Sequence, residues 1–415
     1  MPNAPRTIGL GIVFLVLLGT LTIGLAIKAP CVSGDWEDGR QYTRLCYSDV
    51  VHQLGTEQLI GGRLPYVDAC DVDAPGECDE YPVLTMWAMR LAAWASGPNV
   101  SGFFFAGAVL LWLAAFAIAL CLYLMVGARA LYFAAAPTLT IYATMNWDLL
   151  AVAFATGATL AYLRRRDAWS GVLLGLGAAT KFYPALLVIP FVVGRFRGRE
   201  PDRGIHLAWA AAGTWIAVNL PFALAGPTGW WEFFRYNAAR VADWDSVWFI
   251  GCEQVTGGAC ANTRLVNLGS ALLFVVWIGV IWSLKHRRDP GFARWTLGFP
   301  ILVVFLLTNK VYSPQYSIWL LPWFALVLPH LRLFVAFEIA DIAVFVTRFS
   351  WFGTLSGFDE GFAGIPLGAF QIAVLVRAAV LALCVVAWAR RRSEAPVPAP
   401  MLARPGATAE AEAVR

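Results

Sequence analysis

Eleven carboxylates crowd into the stretch from Cys31 to Tyr81: Asp35, Glu37, Asp38, Asp49, Glu57, Asp68, Asp71, Asp73, Glu77, Asp79 and Glu80. A carboxylate held against a partly dehydrated surface has a raised pKa and can take the proton of a hydroxyl group. Two of the eleven stand apart. Asp49 lies in CYSDV, between Tyr47-Ser48 and an apolar residue, and Glu80 opens Glu80-Tyr81-Pro82, where apolar sequence resumes. By residue chemistry alone the two rank equally as a general base. The other nine read as a solvated acidic surface.

The cations that could answer such a base are far away in sequence. Lys181 sits in GAATKFYPALL between two short apolar runs, with Tyr183 and Pro184 beside it. A charge at membrane depth is costly and marks function unless it snorkels to the surface. The Pro and Tyr suggest a broken helix that would fix the ammonium in place. Asn309 and Lys310 open TNKVYSPQYSIWLLP, where Gln315 and Tyr316 follow Pro314. Pro314 at a first helical position would set free N–H groups beside the lysine, a cradle for phosphate; the alternative is an interfacial Lys/Tyr anchor. Asp148, after Asn146-Trp147, reads equally as a helix cap or as a site-lining acid.

Stepping out to the whole chain, 59% of its 415 residues are hydrophobic and 14% are charged. A soluble domain cannot hide that much apolar surface, so the sequence reads as an all-α polytopic membrane protein. Lys and Arg gather at Arg6, Arg164-Arg165-Arg166, Arg195 to Arg203, Lys285 to Arg288 and Arg390 to Arg392. The positive-inside rule places these in the cytoplasm. Threading apolar segments between them gives roughly twelve spans with both termini inside, including 129–145 and 314–329. Outer loops then run over about 28–99 and 225–264, in one integral domain of residues 1–392. Residues 81–96 read as an interfacial helix. The Ala/Pro-rich stretch 393–415 reads as a disordered cytoplasmic tail.

Six cysteines fall in the two outer loops, where disulfides persist. The spacing makes Cys70–Cys78 and Cys252–Cys260 plausible short bridges, and no CxxC or CxxH pattern supports zinc. Glu338, Asp341, Arg348 and Arg377 lie inside the last two spans. Asp341 and Arg377 fall at similar depth, so an ion pair is the first reading and a proton relay the rival. The aromatic run Trp230 to Trp244 reads as a membrane belt, with stacking on sugar rings as the alternative. The net charge of +4 resides on cytoplasmic loops and reports topology rather than nucleic-acid binding. No GxGxxG, Walker-type loop or Ser-His-Asp pattern occurs.

Taken together, CYSDV, DEYPVLT, NWDLLAV, TKFYP and NKVYSPQYSIWL resemble the actinobacterial membrane glycosyltransferases of family 87, a group that includes mycobacterial mannosyltransferases. The resemblance runs from about Asp49 to Leu321. It implies a GT-C fold in the bacterial plasma membrane and a polyprenyl phosphate sugar donor. Sugar, most readily mannose, would pass to a glycolipid or glycan acceptor on the extracytoplasmic face with inversion; arabinofuranose transfer and a lipid-linked sugar flippase are the rival readings. The resemblance also implies that Asp49 rather than Glu80 is the catalytic base. Glu80, Tyr81, Asp148, Lys181, Tyr183, Asn309, Lys310, Gln315 and Tyr316 are then the substrate- and donor-binding candidates. No cofactor or metal is required by this scheme, although the acidic loop could hold a divalent ion.

Overall fold

The computed structural model describes residues 8–34, 36–71 and 78–392, so the stretch read as a tail lies outside the described residues. Among those residues the chain is helical throughout, with no strand. Five helices are long and apolar enough to cross a membrane: Leu10–Val32, Val100–Ala134, Pro201–Ala225, Thr263–Arg288 and Leu367–Arg390. Leu331–Leu355 is as long at 25 residues but carries Glu338, Asp341 and Arg348 among its buried side chains.

The other expected spans are shorter. Asp167–Thr180 and Pro184–Arg197 have 14 residues each and Gly298–Thr308 has 11. At 1.5 Å per residue a 14-residue helix reaches about 21 Å, less than the ~30 Å of a hydrocarbon core. Two segments read as single spans are broken, and proline is the reason. The 129–145 stretch divides into Leu131–Ala134 and Pro137–Tyr142, and 314–329 divides into a 3-10 turn, Pro314–Trp319, and Leu321–Val327. Pro137 and Pro322 each lack the N–H that would continue the preceding helical turn, and Pro314 follows the non-helical residues 309–313. Pro314 therefore starts a six-residue 3-10 turn, not the helix N-terminus expected as a phosphate cradle.

Buried polar groups stitch these fragments together. Glu338 accepts hydrogen bonds from the Thr138 backbone N–H (2.8 Å) and hydroxyl (3.0 Å), satisfying the start of the Pro137–Tyr142 helix from a distant span. The pair anticipated between Asp341 and Arg377 is present, at 3.2 Å with both side chains buried. Arg377 also donates to the Asp245 carbonyl, and Ser317 donates to Asp341 at 2.5 Å. Close backbone contact needs small residues: a Cβ on Gly171 or Gly175 would lie 2.3 Å from the Leu207 carbonyl oxygen or 2.5 Å from that of Ala211.

The first long helix continues to Val32, and disulfides join Cys31 to Cys46, Cys70 to Cys78 and Cys252 to Cys260. Val83–Ser96 buries one face through Val83, Met86, Met89 and Ala93, while Trp94 is 74% exposed. Its Thr85 hydroxyl donates to the Thr180 carbonyl, which ties the helix to the turn before Lys181. The two segments read as outer loops pack on one another: a Cβ on Gly226 would sit 1.9 Å from the Tyr66 carbonyl oxygen.

Candidate functional site

The segment leading to Asp49 is fixed before its side chain is placed. Lys28, buried near the end of the first long helix, donates to the Tyr47 carbonyl at 2.5 Å. The Cys31–Cys46 bridge and a hydrogen bond from the Trp36 indole to the Cys46 carbonyl (3.2 Å) hold the same turn. Ser48 donates to the Thr144 carbonyl and the Asp49 N–H to the Met145 carbonyl (2.7 and 2.8 Å). Asp49 then opens the Asp49–Thr56 helix without capping it.

Its half-buried carboxylate is left for long-range partners. Oδ2 accepts from the Asn146 amide at 2.9 Å and the Gln315 amide at 3.2 Å, so segments 97 and 266 residues away converge on one oxygen. A carboxylate offers about four acceptor positions, so two donors leave room for an incoming hydroxyl. Asn146 also donates to the Tyr81 hydroxyl (3.0 Å), as does Gln53 (2.6 Å), and Gln53 is held by the Trp147 indole (2.7 Å).

Asp49, Glu80, Tyr81, Lys181, Tyr183, Asn309, Lys310, Gln315 and Tyr316 all line one cavity of about 660 Å³. Of the ten residues singled out from sequence, only Asp148 is absent from its wall. Asp148 is fully buried, and neither of the two roles read for it from sequence is the one it fills. One carboxylate oxygen pairs with Lys181 at 3.2 Å and the other accepts from the Trp319 indole at 2.7 Å. Asp148 thus holds the lysine from behind. Lys181 lies in the extended turn after Thr180, with its ammonium 4.9 Å from the Tyr316 ring centroid and 5.3 Å from that of Tyr81. Trp319 is sandwiched by Tyr183 and Tyr316, at centroid distances of 4.2 and 4.3 Å.

On the facing wall, the Asn309 side chain bridges its own turn by accepting from the Lys310 N–H and donating to the Val311 carbonyl. Lys310 is 5% exposed, and its ammonium meets the Ala238 carbonyl at 3.2 Å. Burial, with the Arg240 charge nearby, brings the Lys310 pKa down to about 8. Arg240 itself lines the cavity and pairs with Asp243 at 2.9 Å; Arg348 holds the same aspartate at 3.3 Å and Asp245 at 2.9 Å. Phe233, Phe234, Tyr236 and Trp244, from the run read as a belt or as a stacking surface, line the cavity too.

Glu57 is a wall residue that the sequence reading left among the surface acids. It is 1% exposed and accepts from the backbone N–H groups of Asp79 (2.7 Å) and Glu80 (3.4 Å). Burial pushes its carboxyl well above the usual range, and the neighbouring Glu80 adds to this. Arg240, Asn146 and Glu57 were missed. For Arg240 a signal existed, because it is a cation in a segment that the positive-inside reading puts outside, as are Lys181 and Lys310. Among the described residues, one group of metal-type side chains gathers, Cys70, Cys78 and Asp79. Its two sulfurs are joined in a disulfide and Asp79 forms a two-pronged pair with Arg63 (2.9 and 3.2 Å).

Residues 80–314 match the model of glycosyltransferase family 87, a segment that begins at Glu80 and leaves Asp49 on its N-terminal side. A stretch of 176 residues is 27% identical to the polyprenol-phosphate-mannose-dependent alpha-(1-2)-phosphatidylinositol mannoside mannosyltransferase of Mycolicibacterium smegmatis (strain ATCC 700084 / mc(2)155). That alignment covers 38% of this chain and 37% of the relative, so it spans little more than a third of either protein. Among solved structures, ArnT from Cupriavidus metallidurans bound to undecaprenyl phosphate aligns with a TM-score of 0.42 at 14% identity, over 88% of this chain and 76% of that one.

Proposed function

This chain belongs to glycosyltransferase family 87, and from that premise we propose that it transfers mannose from a polyprenyl phosphate donor to a glycolipid of the cell envelope. The proposal includes the GT-C arrangement, an extracytoplasmic site, cytoplasmic termini and a single integral domain over residues 1–392. The observation that carries it is the convergence of one oriented carboxylate, Asp49, and four cations, Lys181, Arg240, Lys310 and Arg348, on one cavity.

The chemistry follows from that pairing. Asp49 takes the proton of the acceptor hydroxyl as its oxygen attacks the anomeric carbon from the face opposite the phosphate. The bond from that carbon to the phosphate oxygen breaks, its electrons remain on the phosphate, and the configuration inverts. Cations fixed beside the departing phosphate stabilise its growing charge without reorganising, because partners set in advance hold each of them. Asp148 fixes Lys181, Asp243 fixes Arg240 and the Ala238 carbonyl fixes Lys310. Tyr81, Tyr183 and Tyr316, with the Glu57–Glu80 pair, supply ring faces and acceptors for sugar hydroxyls. The relative named above acts on a phosphatidylinositol mannoside, and that glycolipid class is the first acceptor to try. Purified protein given polyprenyl phosphate mannose and a phosphatidylinositol mannoside should yield a product whose new linkage has the anomeric configuration opposite to the donor's, read by NMR. Retained configuration would rule out the single displacement.

Lys310 offers a pH test. Its ammonium must be protonated to hold a phosphate, and in the free enzyme it loses its proton as the pH rises through about 8. The KM for donor should therefore climb above pH 8 while the KM for acceptor stays flat. Lys310→Arg, whose guanidinium stays charged, should remove the climb, and Lys310→Ala should raise donor KM at every pH. A donor KM that is flat from pH 7 to 9 in the unsubstituted protein would argue against phosphate contact.

A further inference from the structure

A second cavity lies at the other end of the bundle. It measures about 570 Å³ and is walled by Tyr162, Arg165, Arg195, Arg197, Arg294 and Trp295 together with the chain around them. Three elements run from the first cavity to this one. The Asp148–Leu163 helix starts beside Lys181 and ends at Tyr162 and Leu163; its 16 residues span about 24 Å. Pro184–Arg197 starts next to Tyr183 and ends at Arg197, and Gly298–Thr308 joins Trp295 to Asn309. This is the Lys- and Arg-rich end, which the positive-inside rule assigns to the cytoplasm.

Four arginines line this cavity and, among the described residues, no carboxylate does. Two of the four are paired with acids outside it. Arg195 pairs with Asp167 at 2.6 Å and Glu200 at 3.7 Å, and Arg165 pairs with Glu200. Arg203 shares the same two acids. Arg197 and Arg294 have no ion-pair partner among the described residues.

Arg294 is the sharper case, because it is 6% exposed. Its guanidinium donates to the Phe292 and Pro290 carbonyls, lies 3.9 Å from the Phe292 ring centroid and leaves Nε without a hydrogen bond. Carbonyls and ring faces satisfy its donors but do not cancel its charge, and an uncompensated buried charge is costly. Burial disfavours its charge, the like charge of Arg197 adds to this and the nearby Asp289 opposes it. An anion between Arg197 and Arg294 relieves both. Gly194 helps keep the space open, since a Cβ there would lie 2.3 Å from the Tyr162 hydroxyl. On the same helix, Ile189 and Phe196 are 63% and 49% exposed, an apolar flank suited to acyl chains.

We propose that this cavity binds a phosphate-bearing anion, either the headgroup of an anionic phospholipid or free phosphate, between Arg197 and Arg294. The site is separate from the transfer site and does not depend on the reaction assigned there. Arg197 is exposed, so Arg197→Glu should fold and retain sugar transfer in detergent. Native mass spectrometry with phosphatidylglycerol and calorimetry with inorganic phosphate form the two arms. About tenfold less bound phosphatidylglycerol in Arg197→Glu, with no heat from phosphate, assigns a lipid headgroup. Phosphate heat that disappears in the variant assigns free phosphate. Equal binding of both ligands by the two proteins, or binding of neither, overturns the proposal.

Discussion

Asp49→Asn should lower the rate of sugar transfer by about 10²- to 10⁴-fold, the range a positioned general base supplies, with the melting temperature nearly unchanged. Asparagine keeps the shape and one acceptor oxygen, so Asn146 and Gln315 still find a partner at the position of Oδ2. What is lost is the capacity to take a proton. The fully buried ammonium of Lys28, whose charge Asp49 offsets, keeps its hydrogen bond to the Tyr47 carbonyl in the variant. Transfer assays alongside thermal melts of both proteins give the answer. Full activity in a well-folded variant would remove Asp49 from the reaction and return Glu80 to consideration.

Lys181→Met should damage both stability and activity. Asp148 is fully buried, and without the lysine its carboxylate keeps only the Trp319 indole. Breaking a buried pair on one side typically costs about 3–5 kcal/mol. Removing both charges, in Lys181→Met with Asp148→Asn, should recover most of the stability, since no lone charge remains. If the ammonium faces the donor phosphate, the double variant stays slow and its donor KM stays high. Recovery of activity together with stability would reduce Lys181 to a structural partner of Asp148.

Much of this site was legible because a charge in an apolar context has no ordinary explanation. Lys181 and Lys310 stood out for that reason, and both line the cavity with Asp49. Two of the three disulfides followed from a short spacing in loops read as outer, as did the Asp341–Arg377 pair from similar expected depth in neighbouring helices. Other features were hidden for physical reasons. Gln315 reaches Asp49 across 266 residues, a contact created by folding with no local signature. Glu57 looks like a common loop acid until residues 225–264 pack on residues 28–99. Helix lengths were misjudged where a proline interrupts an apolar run, because hydropathy does not register a missing N–H. Those breaks matter to the site: the turns around Lys181 and Lys310 are the places where helices stop.

The central claim is that the donor is a sugar on a polyprenyl phosphate and that its phosphate leaves between the lysines. It is tested most directly by incubating purified protein with a panel of polyprenyl phosphate sugars, with nucleotide sugars as comparators, and measuring polyprenyl phosphate release in the presence of a glycolipid acceptor. The account predicts release from polyprenyl phosphate mannose in step with acceptor glycosylation, and no turnover of nucleotide sugars. Turnover of a nucleotide sugar, or acceptor glycosylation without polyprenyl phosphate release, would contradict it.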